Sequence, residues 1–159
     1  MSEKLQNALN EQITAELWSA NLYLSMSFYL KKEGFSGMAN WMRKQSAKEV
    51  GHACAIAEYM VKRDATPKVD KVDVVPQGWG SSLEVFEHAL EHEKHISKLI
   101  DELVHLASEE KDNSTQDFLW KFVREQVEEE TGVQNIVNQL KKAGDSGIFF
   151  IDAKLDGCK

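Results

Sequence analysis

The feature that most constrains the fold is the scarcity of helix breakers along this sequence. Of its 159 residues only two are proline, Pro67 and Pro76, and both lie between two long stretches that contain none. Proline is the residue that most strongly ends a helix. The sequence therefore predicts four long helices, over residues 2–33, 38–63, 81–110 and 115–142.

Local signals mark several of the predicted helix ends. Ser36 follows a glycine turn and is placed to cap the second helix. Ser81 and Glu84 have the spacing of a capping box and open the third helix. Gly144 ends the fourth helix, and the short segment 148–155 is expected to form a fifth.

The connection between the second and third helices predicts how the helices are arranged. Helices of this length extend about 40–48 Å. The first and third connections are short, so each joins an antiparallel pair. The connection over residues 64–80 has 17 residues, whereas a return along the whole bundle needs about 12–14 extended residues. We therefore expect an all-α four-helix bundle with one long crossover between helices two and three, in a single domain over residues 1–159.

Charge and composition exclude several classes of partner. The formal net charge is −7, which disfavours nucleic acid and anionic membranes and favours a protein that attracts cations. We find neither a signal peptide nor an apolar run long enough to span a bilayer. Cys54 and Cys158 are too few for a disulfide framework, so free thiols and a cytoplasmic location are expected.

Each predicted helix has an apolar seam with 4-3-4-3 spacing, and each seam carries a glutamate near its middle. One such glutamate alone would commonly lie at the edge of a core, but four at one height are harder to dismiss. The first lies 17 residues before Glu33 at the end of helix one and the second 13 residues after the predicted cap Ser36, so an antiparallel pair brings them level. With a histidine one turn later, the predicted ring comprises Glu16, Glu49, His52, Glu93 and Glu129.

The predicted ring indicates a metal centre. Buried unpaired carboxylates cost several kcal/mol each, and the seams contain no lysine or arginine at this height to neutralise them. Oxygen-rich ligands with a histidine suit iron or manganese, and the lack of cysteine in the ring argues against structural zinc. Glu49 and His52 also have the i, i+3 spacing that di-iron carboxylate bundles use.

Four segments carry a resemblance to a known family: NEQITAELWSANLYL, FSGMANWMRKQSAKEVGHA, EHEKHISK and FVREQVEEE. They resemble ferritins, in particular the non-haem bacterial and archaeal type. The resemblance implies iron storage and detoxification by a ferroxidase. Such a protein oxidises Fe(II) with O₂ or peroxide at an intrasubunit di-iron centre and deposits ferric oxyhydroxide inside a hollow homo-oligomeric shell, expected to be a 24-mer.

The resemblance also assigns ligand roles within the ring. It implies that Glu16, Glu49 and His52 hold the first iron, with Glu49 bridging to the second. It implies that Glu93 and Glu129 hold the second iron.

Further residues match positions around such a centre. Gln126 would stand beside the second iron, and Tyr23 would supply an electron or a hydrogen bond. Bacterioferritin carries a haem-ligating methionine where this chain has Val50, and a second ExxH motif that the fourth helix here lacks. Both departures argue against haem.

One departure concerns a third iron site on the side of the inner cavity. Glu125 and Glu128 match two of its ligands, but Lys48 stands where the family would have a carboxylate. We expect the ammonium group of Lys48 to pair with Glu125 or Glu128 and to weaken a third iron.

Other interpretations remain open at the level of sequence. The chain could be a non-catalytic metal-binding bundle, a DNA-protecting relative of ferritin, or a di-iron oxidase of an organic substrate. The DNA-protecting relatives lack the intrasubunit ExxH motif and commonly have a basic tail, and nothing in the seams suggests a substrate pocket.

Three smaller features have alternatives of their own. His88, Glu91 and His92 fit the HxxEH zinc-protease pattern, and His95 extends a histidine stripe, but we expect this stripe to face solvent or at most to form a surface metal site. Cys54 is expected to be a packed thiol. The tail at residues 148–155 has an apolar face without room in the seams, so it is expected to pack at a symmetry axis of the shell.

Overall fold

The structure, a computed structural model, describes residues 1–157. In that range it contains five helices and no strand, as expected for an all-α bundle. The helices are α1 (Glu3–Lys32), α2 (Ser36–Lys62), α3 (Ser82–Glu109), α4 (Asn113–Lys142) and α5 (Asp145–Asp156). None of the helices in the described part of the chain is both long enough and apolar enough to cross a membrane.

Capping explains most of the helix boundaries. Ser2 caps α1, and Ser81 with Glu84 forms the predicted capping box of α3. Asp112 caps α4, which therefore begins two residues before the expected start at 115. The expected cap at Ser36 is wrong, because Ser36 is the first residue of α2 and Phe35 precedes it without a side-chain cap.

The connection between α1 and α2 turns sharply at Gly34. Its φ of +92° lies in the region that residues with a side chain rarely adopt. The tight turn makes α1 and α2 antiparallel neighbours, as α3 and α4 also are. α1 additionally packs against α3, which closes the bundle around the seams.

The crossover over residues 63–81 follows α1 for most of its length. Side chains of α1 form hydrogen bonds with the crossover, and the residue numbers of the paired residues increase together along the two segments. These bonds join Asn10 to Lys68 (2.8 Å), Trp18 to Val74 (3.3 Å), Ser25 to Pro76 (2.6 Å) and Tyr29 to Gly80 (2.7 Å). The chain therefore returns along the bundle before α3 begins, and the predicted long crossover is confirmed.

Two apolar clusters fill the bundle, one toward each end. The first contains Tyr23, Met26, Leu30, Met38, Met42 and Phe86, and the second contains Leu5, Leu9, Ile13, Ile56, Met60 and Phe122. The four methionines at positions 26, 38, 42 and 60 are fully buried, as expected for core residues. The buried glutamates lie between the two clusters along the sequence of each helix.

The short helix α5 packs on the start of α2. Ile151 and Leu155 pack into the first apolar cluster. The apolar face of the tail was expected to find no room in the bundle, and for these two residues that expectation is wrong. The close approach requires Gly37, because a Cβ there would lie 1.8 Å from the carbonyl oxygen of Asp152. Phe150 is 74% exposed in the described chain, and packing at a symmetry axis stays a prediction.

Candidate metal centre

The first hairpin brings Glu16, Glu49 and His52 together. Each of the three offers one ligand atom within 4.8 Å of the other two. Among the described residues, these three side chains form a cluster of carboxylate and imidazole groups close enough together to bind one metal ion. Glu16 and Glu49 are 0% and 1% exposed, respectively. The antiparallel pairing of α1 and α2 puts them at one height, and one turn of α2 places His52 beside Glu49.

His52 connects the buried carboxylates to the surface. Its Nδ1 atom lies 3.7 Å from Glu16 Oε2 and 3.4 Å from Glu49 Oε2. Its Nε2 atom lies 3.0 Å from an oxygen of Glu125, whose side chain is 49% exposed. Gln12 donates a hydrogen bond of 3.1 Å to Glu16 Oε1. Sequence reasoning missed Gln12, although it lies one turn before Glu16.

Two oxygens of this cluster have no hydrogen-bond partner. They are Glu16 Oε2 and Glu49 Oε1, both fully buried within the described structure. A buried acceptor without a partner loses its hydration with nothing in return, which costs about 1–3 kcal/mol or more for a charged group. Bare carboxylate oxygens beside a histidine nitrogen are the ligands that iron prefers. The residues present therefore fit a metal cation.

The pKa values of the cluster show that protons take the place of a cation in the metal-free protein. Burial, reinforced by the charges of Glu16 and Glu93, raises the pKa of Glu49 to about 9. Burial alone would lower the pKa of His52, but the adjacent carboxylates of Glu16 and Glu49 raise it to about 10. Burial likewise opposes ionisation of Glu16, yet its contacts with His52, Glu49 and Gln12 hold its pKa below the ordinary value.

Glu93 on α3 faces the same region and has both oxygens satisfied. The hydroxyl of Tyr23 donates to Oε1, and the amide of Gln126 donates to Oε2 over 3.1 Å. Burial raises the pKa of Glu93, and these two hydrogen bonds partly offset the rise. Burial, with the charge of Glu93 next, also raises the pKa of Tyr23 well above its ordinary value, so the phenol keeps its proton.

Glu129 on α4 also has two partners, both from α2. Lys48 Nζ lies 2.6 Å from Oε1, and the amide of Gln45 donates to Oε2 over 2.7 Å. The carboxylate is 9% exposed, whereas the Lys48 side chain is 48% exposed. Lys48 thus reaches inward along its flexible stem from the rim of the bundle.

This pairing corrects one expectation, because Lys48 was expected to pair with Glu125 or Glu128. The seams contain no lysine at this height, but Lys48 reaches Glu129 from outside the seam of α2. Lys48 follows Gln45 by three residues, so both lie on the face of α2 that is turned to Glu129. Glu125 instead contacts His52, and Glu128 is exposed.

The expectation that the histidine stripe faces solvent is wrong for His92. The residue is 8% exposed, and its Nε2 atom lies 2.6 Å from the hydroxyl of Ser19. Burial, and next the charges of His95 and His88, lower the pKa of His92 to about 4. His88 accepts a hydrogen bond from Trp79, while His95 is exposed as expected.

Cys54 does not belong to the centre. Cys54 is exposed, so the expectation of a packed thiol is wrong. It follows His52 by two residues, which turns it away from the ligand face of α2. Cys158 lies outside the described residues.

Comparisons with known proteins agree with this geometry. The family model for the Ferritin-like domain matches residues 6–143. A bacterial non-heme ferritin of Bacteroides fragilis (strain 638R) is 67% identical over 155 residues, which cover 98% of each chain. A bacterial non-heme ferritin of Campylobacter jejuni is 36% identical over 147 residues, covering 92% of this chain and 88% of the relative. An open pore ferritin from the hyperthermophilic archaeon Archaeoglobus fulgidus superimposes with a TM-score of 0.98 at 42% identity, covering 100% and 99% of the two chains.

Proposed function

Because this chain belongs to the ferritin family, its function is iron storage with ferroxidase activity, and we propose that it oxidises Fe(II) at a di-iron centre between its two hairpins. The observation that carries the proposal is the pair of buried oxygens without partners on Glu16 and Glu49, beside the nitrogen of His52. Such atoms destabilise the metal-free protein and are explained by a cation that binds there.

We assign the two iron positions to the two hairpins. Glu16, Glu49 and His52 hold the first iron. Glu93 and Glu129 hold the second. Glu49 bridges the two, in keeping with the influence of both Glu16 and Glu93 on its pKa.

Gln126 and Tyr23 orient Glu93 in this assignment. Both donate to its carboxylate, one to each oxygen, and so fix the plane of the group. Orientation of a ligand by hydrogen bonds of this kind strongly influences metal affinity.

The reaction that we propose transfers one electron from each of two Fe(II) ions to one oxidant, so that with two protons dioxygen is reduced to hydrogen peroxide, or hydrogen peroxide to two water molecules. Carboxylate oxygens, being hard anionic ligands, favour Fe(III) over Fe(II) and so assist the oxidation. Entry of the first iron displaces protons from Glu49 and from His52, whose pKa values lie above neutrality. The half-exposed carboxylate of Glu125, 3.0 Å from His52 Nε2, is placed to carry the histidine proton to solvent.

The wider setting of the protein is part of the proposal. We place the ferric product inside a 24-subunit shell in the cytoplasm, with no haem and with no nucleic-acid or membrane partner. The whole chain, residues 1–159, then acts as one ferritin-like domain. The exposed side chain of Val50, which cannot ligate haem iron, supports the non-haem assignment.

The test compares Glu49→Ala with Glu128→Ala by stopped-flow absorbance after Fe(II) protein is mixed with oxygenated buffer. Glu128 is an exposed acid beside the centre, so its removal controls for charge. We expect Glu49→Ala to slow the fast oxidation by at least about 100-fold, because loss of even an outer-shell partner costs 10–100-fold. Oxidation at the unaltered rate in Glu49→Ala would refute the proposed centre. Tight binding without fast oxidation in the unaltered protein would favour a non-catalytic metal-binding bundle.

A further inference from the structure

We propose that Lys48 is a built-in cation of the second iron position, which the incoming metal displaces and which takes its place again when the metal leaves. The inference rests on the proposed function, because it assumes that Glu129 is a ligand of the second iron. It adds a residue that controls how tightly and for how long this position is filled.

Both oxygens of Glu129 already accept a hydrogen bond. Lys48 Nζ lies 2.6 Å from Oε1, and Gln45 Nε2 lies 2.7 Å from Oε2. Each carboxylate oxygen has more than one lone pair, so a metal can share Glu129 with the neutral amide of Gln45, just as it shares Glu93 with Tyr23 and Gln126. The ammonium group of Lys48, in contrast, lies within hydrogen-bond distance of the same carboxylate and would repel a divalent cation directly.

The second step identifies which donor leaves. Gln45 is 5% exposed and packed inside the bundle, so its amide has no route to water. The Lys48 side chain is 48% exposed, and a flexible stem of four carbons lets its ammonium group swing into solvent. Lysine loses little by this movement, because its charge is fully hydrated once outside.

The third step is the contrast with the first iron position. There Glu16 and Glu49 each keep an oxygen without a partner. A metal at the first position thus meets oxygens that no side chain occupies, whereas a metal at the second position displaces a side chain. The first position is expected to fill before the second.

The same exchange also helps the second position to empty. Without Lys48, the departure of iron would leave the buried carboxylate of Glu129 without a cationic partner. Such an unpaired buried charge destabilises the iron-free state and so opposes iron release. The return of Lys48 pairs that carboxylate at once. Lys48 therefore lowers affinity at the second position and speeds the passage of oxidised iron out of it.

The experiment is an anaerobic calorimetric titration of the metal-free assembled protein with Co(II), which does not undergo the oxidation. The variants are Lys48→Met, Lys48→Arg and the control Lys62→Met, which removes an exposed lysine of the same helix. We expect Lys48→Met to tighten the second binding step by about tenfold, because the metal no longer has to displace a half-exposed, charged hydrogen-bond donor. Lys48→Arg should weaken that step, since arginine can bind both oxygens of a carboxylate. The first step should not change in any of the three.

Repeated additions of Fe(II) and O₂ provide a second measurement. Lys48→Met should retain the initial burst of oxidation but slow the later additions by several-fold, because iron leaves the second position more slowly. Lys48 is half exposed, so the variant is expected to fold, and Lys48→Gln serves as a more polar replacement if it does not. If the second Co(II) binding step is unchanged in both Lys48→Met and Lys48→Gln, the proposed role of Lys48 is wrong.

Failure of the inference can be separated from failure of the proposed function. If Glu93→Ala abolishes a second Co(II) step but Lys48→Met leaves it unaltered, the di-iron centre stands and the inference is wrong. If the unaltered protein has no second step and Glu93→Ala changes nothing, the second iron position itself is wrong.

Discussion

In the α1–α2 hairpin, Glu16 and Glu49 each keep one buried oxygen without a hydrogen-bond partner, whereas in the α3–α4 hairpin both oxygens of Glu93 and Glu129 accept hydrogen bonds. The same type of residue occurs at the same height in both hairpins. The difference lies in the neighbours, because Tyr23, Gln126, Gln45 and Lys48 all donate to the second pair.

This difference separates two kinds of buried acid. An acid with donors on both oxygens contributes to the stability of the metal-free fold, since its neighbours would lose partners without it. An acid with a bare buried oxygen destabilises that fold and is explained by the ligand that it binds. We therefore expect the two hairpins to respond differently to the same substitution.

The largest expected difference concerns metal affinity. Glu16→Gln should weaken the first Co(II) binding step by about 100-fold, equivalent to about 2.7 kcal/mol, because an amide replaces one of the two anionic ligands of that position. Glu93→Gln should leave the first step nearly unaltered and weaken only the second. Calorimetric titration of the metal-free proteins measures both steps, with Glu128→Gln as the exposed control. Equal weakening of both steps by either variant would show that the two positions do not fill separately.

The helices and the burial of one glutamate near the middle of each long helix could be predicted from the sequence, because both depend on periodicity along a single helix. Four apolar seams with an acid at mid-length are visible without knowing how the helices pack. Partners across the bundle could not be predicted in this way. The partner of Lys48 depends on how far a flexible side chain reaches between α2 and α4, which spacing along α2 does not reveal.

The burial of His92 was missed for a related reason. Phasing α3 by one seam turns Glu93 toward the bundle axis and its neighbour His92 outward. In the structure α3 also packs beside α1, where Ser19 and Trp18 cover the imidazole. A helix with two neighbours buries a wider arc than one seam describes. The fit of Ile151 and Leu155 into the core was missed because an end of the bundle, unlike its seams, has no periodic signal.

The second prediction concerns pH and follows from the protons held by the first hairpin. The pKa of Glu49 rises from 4.5 to about 9, and that of His52 rises from 6.5 to about 10. The folded metal-free protein therefore binds more protons than the unfolded chain between these values. This contribution to stability is complete below the ordinary pKa of each group and is lost as the pH rises through about 9 and about 10. The free energy of unfolding should fall between pH 7 and 10, by up to about 1.4 kcal/mol per pH unit for each proton.

Urea unfolding of the metal-free protein at fixed protein concentration measures this dependence. Glu49→Gln should make it shallower, whereas Glu128→Gln should not. Co(II) binding at pH 7 should also release protons, which calorimetry in buffers of different ionisation enthalpy detects. Stability that stays level between pH 7 and 10 in the unaltered protein would contradict the assignment of these protons to the first hairpin.

The smallest expected effects have opposite signs in the two hairpins. Glu49→Met replaces a buried acid that has a bare oxygen by an apolar side chain of similar volume, and should stabilise the metal-free protein by about 1 kcal/mol. Glu129→Met leaves the ammonium group of Lys48 and the amide of Gln45 without their acceptor, and should destabilise it by about 1–2 kcal/mol. Half exposure of Lys48 limits the second effect, because water can replace the lost partner on that side but not at Gln45. Urea unfolding at pH 7 compares both variants with Glu128→Met. Destabilisation by Glu49→Met as large as that by Glu129→Met would mean that both acids are structural, and that the bare oxygens of the first hairpin do not explain metal binding.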